Sequence, residues 1–167
     1  MANLNDTYSK EQKDDILQLV SFNIGEEEFG VDILKVQEII RLVEITRVPN
    51  APHFVEGVIN LRGKVIPVID LRKRLGMVSI ESSVESRIVV VELENKIIGF
   101  LVDCVNEVLR ISRSITEPPP AIIAGINADY ITAIGKLEDR ILILLDLEMI
   151  LNTNEKQSLT NLESVAV

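Results

Sequence analysis

Two blocks of this chain occur twice, in the same order, and any fold has to accommodate both copies. Residues 36–42 (VQEIIRL) recur as 105–111 (VNEVLRI), 69 residues on, with Glu38 over Glu107 and Arg41 over Arg110. The hairpins that precede them match as well, with Gly30 over Gly99. Residues 61–75 (LRGKVIPVIDLRKRL) then recur as 137–151 (LEDRILILLDLEMIL), 76 residues on, with Asp70-Leu71 over Asp146-Leu147. The loop carrying Pro118-Pro119-Pro120 absorbs the difference in spacing. Two blocks in order describe a duplicated unit, so the chain folds as two related halves.

Each half spells short strands. Val20, Phe22 and Ile24 alternate with Ser21 and Asn23, the period of a half-buried strand. Gly25 and Glu26-Glu27-Glu28 turn it, and 29–33 return. Ile33, Val36, Ile40 and Val43 have near-helical spacing, but Val36, Glu38, Ile40 and Leu42 also fit a strand. The repeat decides this: 105–111 follows a strand pair and extends it, so 36–42 is expected to be strand after a turn at Leu34-Lys35. Pro52 opens one helical turn. Residues 58–61 and 65–69 are rich in β-branched side chains and flank Gly63, where a tight turn needs positive φ. Pro67 lacks an N–H, which predicts an edge strand or a bulge there. A short helix at 71–75 stops at Gly76. After a polar connection at 78–86, the hairpin 88–93/97–102 is apolar almost without a break, as in strands covered on both faces. Residues 115–125 read as an extended loop, and 130–137/141–145 as a last hairpin. Asp146 caps a short helix at 147–151. The organisation expected is a disordered segment at 1–14, one domain at 15–152 with halves at about 16–80 and 86–152, and a tail at 153–167 with a loosely held helix. Exchange of strands between the halves stays open. About five short strands per unit hide their edges best by curling, so the fold expected is mainly β: two small packed barrels with short helices, one of them C-terminal.

The charge of −9 repels phosphate backbones, which argues against nucleic acid as a partner. Hydrophobic residues make up 47 % with only 4 % aromatics, enough Ile, Val and Leu to fill cores and leave apolar surface for partners. The lone Cys104 forms no internal disulfide and reads as a buried structural thiol in a reducing compartment. The polar first residues carry no secretory h-region, and no apolar stretch is long enough to span a bilayer, so the location expected is cytoplasmic. Chemistry is sparse. His53 is alone in a loop; one His and one Cys exclude the usual zinc sites; no Gly-Lys-Ser/Thr phosphate loop occurs. Asp70 and Asp146 sit before helices, where capping explains both, and Glu26-Glu27-Glu28 reads as a solvated turn. No catalytic constellation, metal site or cofactor is expected, and the residues describe a binding module rather than an enzyme. Arg62 stands at a turn between apolar runs, either as a surface arginine ending a strand or as a contact on a recognition surface.

Residues 29–39 (FGVDILKVQEI), 57–63 (GVINLRG) and 65–71 (VIPVIDL) closely resemble the CheW family of bacterial chemotaxis coupling proteins, and the similarity runs from about Leu17 to Leu151. The resemblance implies two five-stranded Src-homology-3-like barrels. It implies a non-enzymatic adaptor that couples the cytoplasmic tips of methyl-accepting chemoreceptors to the regulatory domain of the histidine kinase CheA, at membrane-associated arrays but without inserting into the membrane. It places Val36, Glu38, Gly57, Asn60, Arg62 and Gly63 where the family has receptor or kinase contacts. A helix tip in a groove between barrels would use apolar anchors, for which Val36, Ile39 and Val102 are candidates, and orienting charges such as Glu38 and Arg62. Core packing for Val36 and Val102, turn geometry for Gly57 and Gly63, and a mutual Glu38–Arg62 pair are the structural readings of the same residues. The alternatives are a stand-alone CheW-like regulatory domain of another two-component complex, and a small-ligand barrel, for which the chain has few aromatic platforms.

Overall fold

The computed structural model describes residues 15–78, 80–120 and 129–151. The expected N-terminal disorder, the tail with its helix, and most of the stretch after Pro118-Pro119-Pro120 lie outside the described residues. Within them run eleven strands: β1 Ile16–Ile24, β2 Glu27–Asp32, β3 Val36–Arg41, β4 Val55–Leu61, β5 Lys64–Asp70, β6 Arg87–Leu93, β7 Lys96–Val102, β8 Cys104–Ser112, β9 Thr116–Glu117, β10 Ile131–Lys136 and β11 Ile141–Leu145. A 3-10 turn, Ile33–Lys35, joins β2 to β3, and one short helix, α1 Leu71–Arg74, follows β5.

The strands form two sheets, ordered β8-β1-β2-β11-β10-β9 and β3-β6-β7-β5-β4. Aligning the repeat puts β3 over β8, the hairpin β1-β2 over β6-β7, and β4-β5 over β10-β11. Each sheet therefore takes a hairpin from one unit and the remaining strands from the other. The exchange is reciprocal, and the two halves cannot be separated at residues 80–86. Both sheets close the same way: Thr46, beyond β3, exchanges hydrogen bonds of 2.9 and 2.8 Å with Val58 of β4, and β9, beyond β8, pairs with β10. Each is thus a small barrel with few open edges. The bulges repeat too. Gln37 and Asn106 are extra residues at equivalent points of β3 and β8, and Glu56 and Thr132 at equivalent points of β4 and β10.

Three cores follow from strand alternation. Leu19, Ile111, Leu142 and Leu144 fill the first barrel, and Ile59, Ile66, Val68, Ile88 and Val90 the second. The largest cluster lies between the barrels and includes Phe22, Phe29, Val89, Phe100, Val102 and Ile150. This explains the unbroken apolar run of β6: Ile88 and Val90 point into the second barrel while Val89, Val91 and Leu93 point into the central core. The barrels are narrow where Gly99 sits. A Cβ there would stand 2.7 Å from Cγ2 of Ile88, and at its equivalent, Gly30, 3.2 Å from a methyl of Leu142.

Local expectations fare unevenly. The strand at 36–41 is present, and so is α1, capped by Asp70 Oδ1 accepting from the Arg72 N–H at 2.9 Å and closed by Gly76 at φ +75°. The equivalent Asp146 accepts from the Glu148 N–H at 2.9 Å, but the expected helix at 147–151 is only a turn, with Met149 N–H donating to Asp146 O at 3.1 Å and Ile150 N–H to Leu147 O at 3.4 Å. Pro67 is on neither an edge nor a bulge: β5 lies between β4 and β7, and the ladder to β7 begins one residue later, at Val68, clear of the missing N–H. Glu28 is no solvated turn residue. It is a β2 side chain, 11 % exposed, that accepts from the Ser21 hydroxyl and from Arg140 Nε at 2.6 Å. Cys104 is half-buried rather than buried.

Candidate partner-binding surface

The turn between β4 and β5 consists of Arg62 and Gly63, with φ of +52° and +86°. Two positive φ values give the twist that a two-residue hairpin needs. Glycine adopts this readily, whereas an arginine held there costs roughly 1 kcal/mol. Asn60 locks the turn, its Oδ1 accepting from the Gly63 N–H at 2.9 Å. Arg62 then projects across the seam of the second barrel to Glu38 on β3. Its Nη1 donates to Oε2 at 3.1 Å and its Nη2 to Oε1, a two-point clasp. The hydrogen bond from Arg62 holds the Glu38 carboxyl below its usual range. The Arg62 side chain stays 70 % exposed, so most of its donor surface faces outward.

Gly57 serves the seam from inside. Its φ is +151°, and a Cβ there would lie 2.1 Å from Thr46 O, the atom that closes the barrel. The structure thus brings Glu38, Asn60, Arg62 and Gly63 together at one corner of the second barrel. The other candidates part from them. Ile39 lies on the opposite side of β3 and is 39 % exposed; Val36 is half-buried against the central core. Val102 is 2 % exposed in that core and presents no surface to a partner, a correction to its place among the anchors. As the last residue of β7, between Leu101 and Asp103, Val102 carries no mark in the sequence of which face it takes. The clasp has a counterpart in the first barrel: Arg140, at the β10–β11 turn, reaches Glu107 at 3.4 Å and Glu28 at 2.6 Å. A strand carboxylate is therefore tied to a turn arginine in both barrels, although by the repeat Arg140 lies over Lys64 and Glu138 over Arg62, and Arg62 is far more exposed than Arg140.

The most exposed apolar side chain near this region was not singled out from the sequence. Leu34, in the 3-10 turn between β2 and β3, is 88 % exposed. It stands between two clefts. One, of about 890 Å³, is built on the first barrel, with Leu17, Leu19 and Leu144 among its apolar walls and Arg110 and Arg113 at its margin. The other, of about 490 Å³, opens toward Val36, Gln37, Glu92 and Glu94 of the second barrel. Leu34, Lys35 and Glu148 border both, and Lys35 Nζ meets Glu148 Oε1 at 2.7 Å on their shared rim. The two clefts thus adjoin at this rim, and together they form a track interrupted by the ion pair. A leucine placed in a turn was the available sign.

Comparison with known proteins supplies the identity. Residues 18–155 match the family described as the CheW-like domain. The chain is 35 % identical over 144 residues to the chemotaxis protein CheW of Klebsiella aerogenes, covering 86 % of this chain and 87 % of that protein. It is 37 % identical over 142 residues to CheW of Helicobacter pylori, covering 85 % and 86 %. Its fold is similar to the crystal structure of the scaffolding protein CheW from Thermoanaerobacter tengcongensis, with a TM-score of 0.76 at 40 % identity, over 83 % of this chain and 94 % of that one. With its two exchanged barrels and these relatives, the chain belongs to the CheW-like family.

Proposed function

We propose that this chemotaxis adaptor works without catalysis by joining two partners, the helical tip of a methyl-accepting chemoreceptor and the regulatory domain of the histidine kinase CheA. The observation that carries the reading is the separation of two surfaces. The track past Leu34 suits an amphipathic helix, with apolar walls on the first barrel and a protruding anchor at its middle. The Glu38–Arg62 corner, with Arg62 70 % exposed, is a compact patch on the second barrel and suits a folded partner such as a kinase domain. No helix among the described residues is long and apolar enough to cross a membrane, so placement at receptor arrays would come from the partners.

Calorimetric titration of the full chain with a receptor cytoplasmic hairpin, and separately with the kinase regulatory domain, tests this. Wild type should bind both. Arg62→Ala should weaken the kinase domain at least tenfold and leave the hairpin unaffected. A folded wild type that binds neither overturns the adaptor reading, and a variant that loses only the hairpin reverses the assignment of the two surfaces.

A further inference from the structure

We infer that the large cleft of the first barrel is covered by the chain's own segment 155–167, and that a partner entering the cleft has to displace that segment. The docking stands on the cleft and the sequence; the displacement rests on the receptor-hairpin reading above.

The cleft is apolar and open. Leu17, Leu19 and Leu144 are among its walls, and two more of its lining side chains, Ile16 and Leu34, are 39 % and 88 % exposed. Apolar surface gathered in one place in this way marks a site that something covers. The charges of the cleft do not select by sign, because Arg110 and Arg113 line it together with Asp32, Asp146 and Glu148. Its occupant is therefore chosen by apolar side chains and needs little net charge. The volume of about 890 Å³ has room for several side chains at once.

The chain itself supplies such an occupant at the right place. The described residues end at Leu151, three residues beyond Glu148 on the rim, so the Leu151 Cα is no more than about 11 Å from that of Glu148. Residues 152–158 (NTNEKQS) are a polar lead that reaches at most about 25 Å. Leu159, Leu162 and Ala166 then recur at the i, i+3, i+7 spacing of one apolar helix face, with Val165 beside them. Glu155, Lys156 and Glu163 give residues 152–167 a net charge of 1 − 2 = −1, which a cleft lined by both signs accepts. Tethering favours this occupant over any free one. A segment on a short lead is present at an effective concentration on the order of mM, so a docking too weak to hold two separate molecules still fills the cleft.

The test places a nitroxide on the polar side of the segment, at Asn161→Cys in a Cys104→Ser background of the full chain, and reads paramagnetic broadening of backbone amides. The signals of Leu19, Ala133 and Leu144 should lose most of their intensity while those of Asn60 and Ile66 in the second barrel keep theirs. Leu159→Ser/Leu162→Ser should abolish the broadening. A second measurement needs no label: amide shifts of wild type and of a chain ending at Asn154 should differ at the same cleft residues. Absence of both effects overturns the inference. Broadening seen only when labelled and isotope-enriched chains are mixed overturns it as well, since the occupant is then a second copy. Titration with a receptor cytoplasmic hairpin checks the displacement. The chain ending at Asn154 should bind it about threefold or more tighter than wild type, the factor lost when a cleft is open a third of the time or less. Equal affinities overturn the displacement, and a hairpin that binds neither chain fails the receptor reading while the docking is still judged by the broadening.

Discussion

Asp103 is the residue on which the two barrels are tied at one end, and replacing it by asparagine measures that tie. It sits between β7 of the second barrel and β8 of the first. Its Oδ1 accepts from Arg72 Nε of α1 at 2.9 Å, and its Oδ2 from Arg72 Nη2 and from the Gly25 N–H of the β1–β2 turn at 2.7 Å. The side chains of Arg72 and Asp103 are 12 % and 26 % exposed, so the pair is only partly screened. Asparagine keeps the volume and one acceptor but removes the charge and the second arginine contact. Charged hydrogen bonds of this kind contribute about 1.5–3 kcal/mol, and residual water contact puts the expected loss at about 1.5–2 kcal/mol. For a chain of this size that lowers Tm by roughly 3–8 °C. Burial pushes the Asp103 carboxyl up, but the Arg72 and Gly25 hydrogen bonds and the Arg72 charge outweigh it and hold it below the ordinary value. A depressed acid stabilises the fold fully above its unfolded pKa of about 3.9 and loses that contribution as pH falls through the folded value. Urea unfolding of wild type and Asp103→Asn should therefore show a gap that is constant from about pH 7 to pH 5 and closes below about pH 4. A gap under about 0.5 kcal/mol near pH 7, or one that persists undiminished into acid, would refute the reasoning.

Gly57→Ala should cost more than about 4 kcal/mol and leave no cooperative melt, because its Cβ would overlap the Thr46 carbonyl that closes the second barrel; a near-native melt would show that the seam is dispensable. Gly99→Ala should destabilise by about 1–3 kcal/mol through the contact with Ile88 Cγ2, and when it is combined with Ile88→Ala, which removes that methyl, the two losses should sum to less than their separate values in chemical denaturation; additive losses would mean the two do not meet. Arg62→Ala should leave the melting midpoint within replicate scatter, since the pair with Glu38 is exposed, while partner binding falls. A large drop in the midpoint would make the clasp structural.

The duplicated blocks showed through because they carry the same turns and caps. Asp70 and Asp146 both cap, Gly30 and Gly99 both make room in a barrel, and the assignment of residues 36–41 to a strand came from β8 rather than from its own ambiguous spacing. The pairing order did not show through. The parallel contacts β2–β11 and β5–β7 join residues far apart in the chain, and nothing local distinguishes a strand that stays in its unit from one that crosses. Side-chain fate was legible only where chemistry limited it. Arg62 had to reach a carboxylate, water or a partner, and it reaches Glu38; Glu28 and Val102 could have faced either way and were misread. Leu34 was already placed in a turn, and what escaped was that a leucine there stands out from the core.

The central claim is coupling, and co-sedimentation tests it most directly. Membranes carrying a chemoreceptor would be mixed with purified CheA, with and without this chain, and pelleted. The account predicts that the kinase enters the pellet in proportion to the added chain and that Arg62→Ala breaks the proportion while the chain itself still pellets. Kinase that pellets to the same extent with and without the folded chain would contradict it.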